Sequence, residues 1–371
     1  QDSGPGNVPR PGPLSAVEQK RWGGNASYLL VCLGLLGVLL LSLLAAVSFG
    51  TVSIPLGQVY KVILEELRAL LPGGTAPTGG SVHDVVWLIR LPRLILAVGV
   101  GMGLSVCGAV MQAIVKNPLA DPYVLGVSSG AYLGASLAML LGFGGLLGGS
   151  AMGVLGCAGA LLVSLGVMAL ANLGGRSNAV KLLLAGTALS AVCSGFSNFF
   201  IFLLNDDHAA SAVVQWSMGS LAAADWGSNA VIVAVAVLGT LFFWTQYRNL
   251  NLMLLGDDCA VTLGTDLHRW RLIYLTVAAV MVGFAVYKAG LIGFVGLLIP
   301  HVVRMLFGTD HKKLIPISAL LGAIFLVWAD VLCRVILPGN ELPIGVLTAL
   351  VGAPVFVYLM ARKKYGFGGG D

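Results

Sequence analysis

Runs of about twenty apolar residues alternate along most of this chain with short polar segments that carry nearly all of its charge. A helix rises about 1.5 Å per residue and the hydrocarbon core of a bilayer is about 30 Å thick, so one crossing takes about 20 apolar residues. A charged side chain at a helix centre costs at least about 2.5 kcal/mol and drifts to the ends, which makes charges useful boundary markers. The pattern then predicts ten spans, at roughly 28–49, 94–115, 123–141, 150–172, 181–204, 228–246, 271–288, 289–306, 314–337 and 343–361. No charge falls between Asp121 and Arg176, and the glycine-rich "GFGGLLGG" at 142–149 supplies the turn that divides this stretch. The run "KAGLIGFVGLLIP" from Lys288 can continue a helix or break one; ten spans require the break.

Two apolar stretches follow a different pattern. Residues 53–73 place Leu56, Val59, Ile63, Leu67 and Leu70 on one side of a helix, the mark of an interfacial segment. "SAVVQWSMGSLAAA" (211–224) is too short to cross and suits an interfacial or re-entrant helix. Residues 1–27, rich in Gly, Pro, Ser and Asn, have no period and are expected to be a mobile tail. Lys20 and Arg21 precede an apolar run too long for a signal peptide, so that run counts as the first span. The expected organisation is one transmembrane domain over 28–361, a long loop at 248–271, and a short C-terminal tail at 362–371.

Composition fits this picture. With 57% hydrophobic residues, 10% charged residues and a mean hydropathy of +0.93, the chain belongs in a bilayer surrounded by lipid. The net charge of +5 is modest, and the basic residues form no aromatic-interleaved patch of the kind that binds nucleic acid. Their distribution is a topology signal instead. With the N-terminus inside, only Lys61, Arg68, Arg90, Arg93, Lys288 and Arg334 of the 21 Lys and Arg fall outside. Both termini are therefore expected in the cytoplasm, and Arg90 and Arg93 are exceptions to the positive-inside rule. Six scattered cysteines without a C-x-x-C pair read as small buried hydrophobes.

Chemistry inside the membrane is sparse. There is no H-E-x-x-H motif, no catalytic Ser/His/Asp arrangement and no Gly-Lys dipeptide, hence no phosphate-binding P-loop. Every Asp and Glu can sit at a span end or in a loop, whereas ion-coupled carriers keep carboxylates near mid-membrane. Ten spans alone would still suit an ion-coupled secondary transporter, the alternative reading. His301 has no second His or Cys at ligand spacing and reads as a helix-end histidine. On the fifth span, Gly186, Ser190, Ser194, Ser197 and Asn198 form a helical stripe that fits either close helix packing or a polar translocation path. In "RNLNLMLLGDDCAVTLGTDLHRWR" (248–271), two leucine-bearing turns are punctuated by Gly256 and Gly264, and Asp257 and Asp258 suit the first turn of a short helix. Such an apolar loop fits a docking knob for a cytoplasmic partner or a helix on the membrane surface.

Several long motifs occur in order: "RLPR" (90–93), "GAVMQAIVKNPLADPYVLGVSSGA" (108–131), "LGDDCAVTLG" (255–264), "GLIGFVGLLIPHVVRMLFGTDHKKLIP" (290–316) and "ADVLCRVILPGNELPIGVLTALVGAPVF" (329–356). The chain resembles, over nearly all its length after residue 28, the FecCD-type permeases of bacterial type II ABC importers for iron siderophores, haem and cobalamin. That resemblance implies an all-α fold of about ten transmembrane helices in the bacterial cytoplasmic membrane. It implies four kinds of partner contact: a second permease subunit, for which the complete motif set favours another copy, two cytoplasmic ATPase subunits, an extracytoplasmic binding protein, and lipid. ATP and Mg would be used by the ATPase subunits, with no cofactor bound here and no enzymatic activity in this chain. It also implies that Leu255, Gly256, Asp257, Asp258, Ala260, Leu263 and Gly264 couple to the ATPase, and that Arg90, Arg93 and Arg334 receive the binding protein. Arg334 is also spaced to pair with Asp330 at i, i+4.

Overall fold

Each of the ten apolar runs folds as a helix. The computed structural model describes residues 25–362 apart from 51–53, 70, 72–78, 144–149, 174–177, 257–259, 261, 263–264, 266 and 338. Most of the expected N-terminal tail, nearly all of the C-terminal one and most of the "GFGGLLGG" turn lie outside the described residues. The described residues hold α1 (Asn25–Ser48), α2 (Leu56–Ala69), α3 (Ser81–Val115), α4 (Val127–Leu140), α5 (Ala151–Asn172), α6 (Ala179–Leu204) and α7 (Asp207–Ser217). They continue with α8 (Trp226–Thr245), α9 (Tyr247–Leu255), α10 (Leu267–Ala289), α11 (Val295–Phe307), α12 (His311–Val335) and α13 (Ile344–Arg362).

Seven of these helices, α1, α3, α5, α6, α8, α10 and α12, are long and apolar enough to cross a bilayer by themselves. Of the other three expected spans, α13 has 19 residues, while α4 and α11 have only 14 and 13, so the count of about ten holds for positions and those two helices are short for a full crossing. The shortening has local causes. Asp121 caps a 3-10 turn at Pro122–Leu125, accepting the Tyr123 N–H at 2.9 Å, and α4 starts only after Gly126. Between Ala289 and Val295 the backbone bonds outward instead of along a helix. The Ala289 carbonyl accepts the Ser220 N–H at 2.9 Å, and the Ile292 N–H donates to the Tyr123 hydroxyl at 3.2 Å. That resolves the Lys288 ambiguity as a break.

The amphipathic segment forms α2, and its expected apolar side is split between protein and surroundings, with Ile63 packed on the core. Val59 and Val62 are buried, Leu56 and Leu67 are exposed, and Leu70 lies outside the described residues. Tyr60 donates to the Leu44 carbonyl at 3.1 Å, a bond that ties α2 to α1. The 211–224 segment starts earlier than expected, as α7, with Asp206 capping its first turn.

The core is built around α3, whose apolar window is 83% buried, against 11% for α6. Helix α12 runs antiparallel to α3. Arg93 meets Asp330, the Gly101 and Gly322 backbones touch, and Ser105 Oγ donates to the Ser318 carbonyl at 2.8 Å. Eight and then four residues along α3 match eight and four back along α12, so the register holds over the whole stretch. A Cβ at Gly101 would collide with the Gly322 carbonyl, and one at Gly322 with the Gly101 carbonyl and the Ser105 hydroxyl. Small residues at i, i+4 on both helices permit this approach.

Candidate functional site

The stretch entering α3 explains why "RLPR" holds its arginines in a fixed direction. Pro92 has no N–H to donate, so it cannot continue the backbone ladder. Residues Asp84–Arg90 take a wider π-helical turn, with the Leu91 N–H bonded to the Val86 carbonyl five residues back. In that register the Trp87 carbonyl would accept from Pro92; it accepts instead from Trp226 Nε1 at 2.9 Å, and the two indoles pack with centroids 4.9 Å apart. Asn229 Nδ2 donates to the Pro92 carbonyl at 2.6 Å. The first turn of α8 thus braces the proline turn from one side. Nearby, Lys288 at the end of α10 pairs with Asp225, the cap of α8, at 2.6 Å. Partial burial pushes the Asp225 carboxyl up, but the Lys288 ammonium and the Ser228 N–H outweigh it and hold its pKa at about 2.

Arg90, Arg93 and Arg334 come together from the two ends of the chain. They are only 3 to 5% exposed, against an expectation of outward-presented docking side chains. Arg93 Nε lies 2.7 Å from Asp330 Oδ1, and its Nη1 lies 2.8 Å from Glu341 on the loop before α13. Arg334 Nη2 pairs with the other Asp330 oxygen at 2.9 Å, so the i, i+4 pairing is present. The end of α1 completes the site. Arg90 Nη1 donates to the Val47 and Ser48 carbonyls at 3.0 and 3.2 Å, and Arg334 Nη1 to the Phe49 carbonyl at 2.9 Å. These last carbonyls of a helix lack intrahelical donors and sit at the negative end of its dipole, where cations are favoured. A cavity of about 150 Å³ lined by Gly50, Val85, Ile89, the three arginines and Glu341 opens onto the cluster. Three cations face two carboxylates, and of those two only Glu341 is substantially exposed.

The opposite ends of α3 and α12 meet the stem of the long loop. Helix α9 buries Leu250 and Met253, exposes Leu255, and stops at Gly256, whose φ of +110° suits glycine. Lys116 Nζ, from the left-handed residue that ends α3, approaches Gly256. Ala260 is buried, and its carbonyl accepts the Thr265 N–H at 2.9 Å. Asp257, Asp258, Leu263 and Gly264 lie outside the described residues. Buried Gln112 on α3 accepts from Arg304 of α11 and reaches the Gly296 and Leu297 carbonyls with its own amide at 3.4 Å.

The stripe on α6 divides. Gly186 and Ser197 face the protein, where the Ser197 hydroxyl donates back to the Cys193 carbonyl at 2.8 Å, and Ser190 is half-buried near Gly126. Ser194 and Asn198 lie on the exposed face, with Thr187. Helical spacing had merged two faces about 60° to 120° apart. His301 packs edge-on against Phe356 with centroids 6.1 Å apart, and among the described residues no group of His, Cys, Asp and Glu could hold a metal ion.

Helical architecture, membrane spans and paired end sites together define a polytopic transport permease. The chain belongs to the FecCD transport family, whose model matches residues 38–362. It is 39% identical over 331 residues to the ABC transporter permease YvrB of Bacillus subtilis, covering 88% of this chain and 92% of that one. It is 40% identical over 294 residues to the vitamin B12 import system permease BtuC of Salmonella typhimurium, covering 79% and 88%. An inward-facing metal-chelate type ABC transporter has a similar structure, with TM-score 0.75, 29% identity, and coverage of 91% of this chain and 100% of that one. PsaBC from Streptococcus pneumoniae shares the fold more loosely, at TM-score 0.52 and 19% identity. The chain is thus a multi-pass membrane permease of the ABC importer class, a transport component and not an enzyme.

Proposed function

We propose that two copies of this chain form the path of an importer that takes a metal chelate from an extracytoplasmic binding protein into the cytoplasm. As an ABC-importer permease the chain works with separate ATPase subunits, which would bind and consume the ATP and Mg, and with that binding protein. Both termini would lie in the cytoplasm, on the side carrying most of the Lys and Arg. Iron siderophores, haem and corrinoids share the cargo chemistry; the relation to a vitamin B12 import permease makes a corrinoid the first to test.

The observation that carries this reading is the placement of two sites at opposite ends of the same helix pair in a member of this family. At one end an arginine cluster opens through a cavity of about 150 Å³, room for a carboxylate. A binding-protein carboxylate entering there would compete with Glu341 for Arg93, while charge across the interface steers encounter. At the other end, exposed Leu255 and the segment to Gly264 would sit in the ATPase and receive its stroke.

The test is uptake of vitamin B12, a ferric siderophore and haem into proteoliposomes holding the permease and its ATPase. One probe is expected to enter only with both ATP and the binding protein. Replacing 255–264 by a Gly-Ser segment should stop uptake and release the ATPase. Uptake that proceeds without ATP, or that an ionophore abolishes, would overturn the reading in favour of an ion-coupled carrier.

A further inference from the structure

At the stem of the coupling loop, one side chain joins α9 to the start of α12. Asn251 Oδ1 accepts the His311 backbone N–H at 2.9 Å and lies 2.7 Å from His311 Nδ1. An amide oxygen only accepts, so Nδ1 carries the proton in this arrangement. Asn251 Nδ2 donates to Asp310 Oδ1 at 2.9 Å, and the same Asp310 oxygen caps α12 by accepting the Lys312 N–H at 3.0 Å. His311 is fully buried. A shared amide that both accepts and donates fixes direction as well as distance, which the apolar contacts of Leu250 and Met253 do not.

Four residues beyond Asn251, α9 reaches Leu255 and the coupling segment. On the other side of the fork, α12 runs for 25 residues, about 37 Å at 1.5 Å per residue, before it ends beside the arginine cluster. Along the way it is held to α3 by the Gly101 and Gly322 contact and by the Ser105 bond. Asp330 then ties α12 to Arg93 of α3 at 2.7 Å. Close backbone contact, one constant register and an ion pair leave little freedom for the two helices to slide.

We propose that Asn251 is a positioning residue that fastens the coupling stem to the α3–α12 pair, so that displacement of the 255–264 segment is delivered as rigid-body motion to the arginine cluster. This rests on the reading of 255–264 as the ATPase contact. Without the fork, α9 could tilt on its apolar face while α12 stayed in place, and ATP would be spent without moving the far end.

The assembled transporter in proteoliposomes tests this, with whichever of the three probes it carries. Asn251→Ala is expected to keep its ATPase bound yet import at least tenfold fewer solute molecules per ATP hydrolysed. Asn251→Asp, which sets a carboxylate against Asp310, should show the same uncoupling. Asn251→Asp combined with Asp310→Asn puts the donor on the other side. Because one Asp310 oxygen serves both contacts in the parent, the new amide at 310 must turn its N–H to the carboxylate at 251 and its oxygen to the Lys312 N–H, as a capping asparagine can. The ratio should then return to within threefold of the parent. A merely structural asparagine would change protein yield and leave the ratio alone. The proposal is overturned if the Asn251→Ala ratio stays within twofold of the parent, if the exchange pair fails to restore coupling or to accumulate, or if Asn251→Ala releases the ATPase. Failure of the underlying reading looks different: the Gly-Ser replacement of 255–264 would then keep both ATPase and uptake, whatever Asn251 does.

Discussion

Asp330 is the residue on which the arginine cluster turns. It is fully buried, and its two oxygens share one negative charge between Arg93 and Arg334 at 2.7 and 2.9 Å. Asp330→Ala leaves two buried guanidinium groups without that counter-charge, and the expected loss is about 3 to 5 kcal/mol. Glu341 is far more exposed, so Glu341→Gln should cost no more than about 1 kcal/mol. Thermal unfolding of the two variants in one detergent checks the ranking; equal midpoints would show that water reaches Asp330 through the cavity. The sequence made the arginines visible because charges beside a long apolar run are rare, and i, i+4 spacing made Asp330 a candidate partner for Arg334. It could not show that Arg93 shares the same carboxylate from 237 positions away. Nor could it show that the carbonyls at the end of α1 receive Arg90, since a backbone acceptor leaves no mark in side-chain identity. That is why outward-presented arginines were expected and buried ones found.

Among the elements, α3 and α12 are fixed by what they lack. Valine at Gly101 or Gly322 would drive a branched side chain into a facing carbonyl that cannot move aside as a flexible side chain would. Overpacking of a core commonly costs about 1 to 3 kcal/mol; with backbone on both sides the expected cost lies at or above the top of that range. Gly195 on α6, with no heavy atom near its missing Cβ, is the control. Gly195→Ala should be neutral or stabilising by up to about 1 kcal/mol through helix propensity. Yield of monodisperse protein and unfolding temperature separate the two classes, and a well-folded Gly101→Val would mean the helices can part. Small residues four apart in both helices were legible beforehand, but 51 glycines in one chain hid which of them touch. Helix existence was read far better than helix length for the same reason. Apolar periodicity reports burial, whereas the start of α4 depends on the Asp121 carboxylate accepting the Tyr123 N–H, and the start of α11 on Ser220 and Tyr123, which lie in other segments.

For the molecule as a whole, α6 carries two exposed faces of opposite polarity. It is the least buried of the seven long apolar helices, yet Thr187, Ser194 and Asn198 share one exposed face. Thr187 returns its hydroxyl to the Leu184 carbonyl at 3.0 Å, but lipid tails offer a side-chain amide such as that of Asn198 no partner, and such groups in a membrane normally face protein or a water-filled cavity. About 150° round the helix at 100° per residue, Val192, Phe196 and Phe199 are all exposed and apolar, as a lipid or subunit contact requires. If α6 lines the path between two copies, the first face is wet and the second dry. Single cysteines at 187, 194 and 198, and at 192, 196 and 199, in a background lacking the native cysteines, make the distinction with a membrane-impermeant maleimide on the assembled transporter. The first set is expected to label at least tenfold faster, and bound binding protein should slow it by closing the path from outside. Equally slow labelling of both faces would place α6 in lipid, away from the path, and equally fast labelling would make both faces wet; either outcome removes the division of α6 into a wet and a dry face.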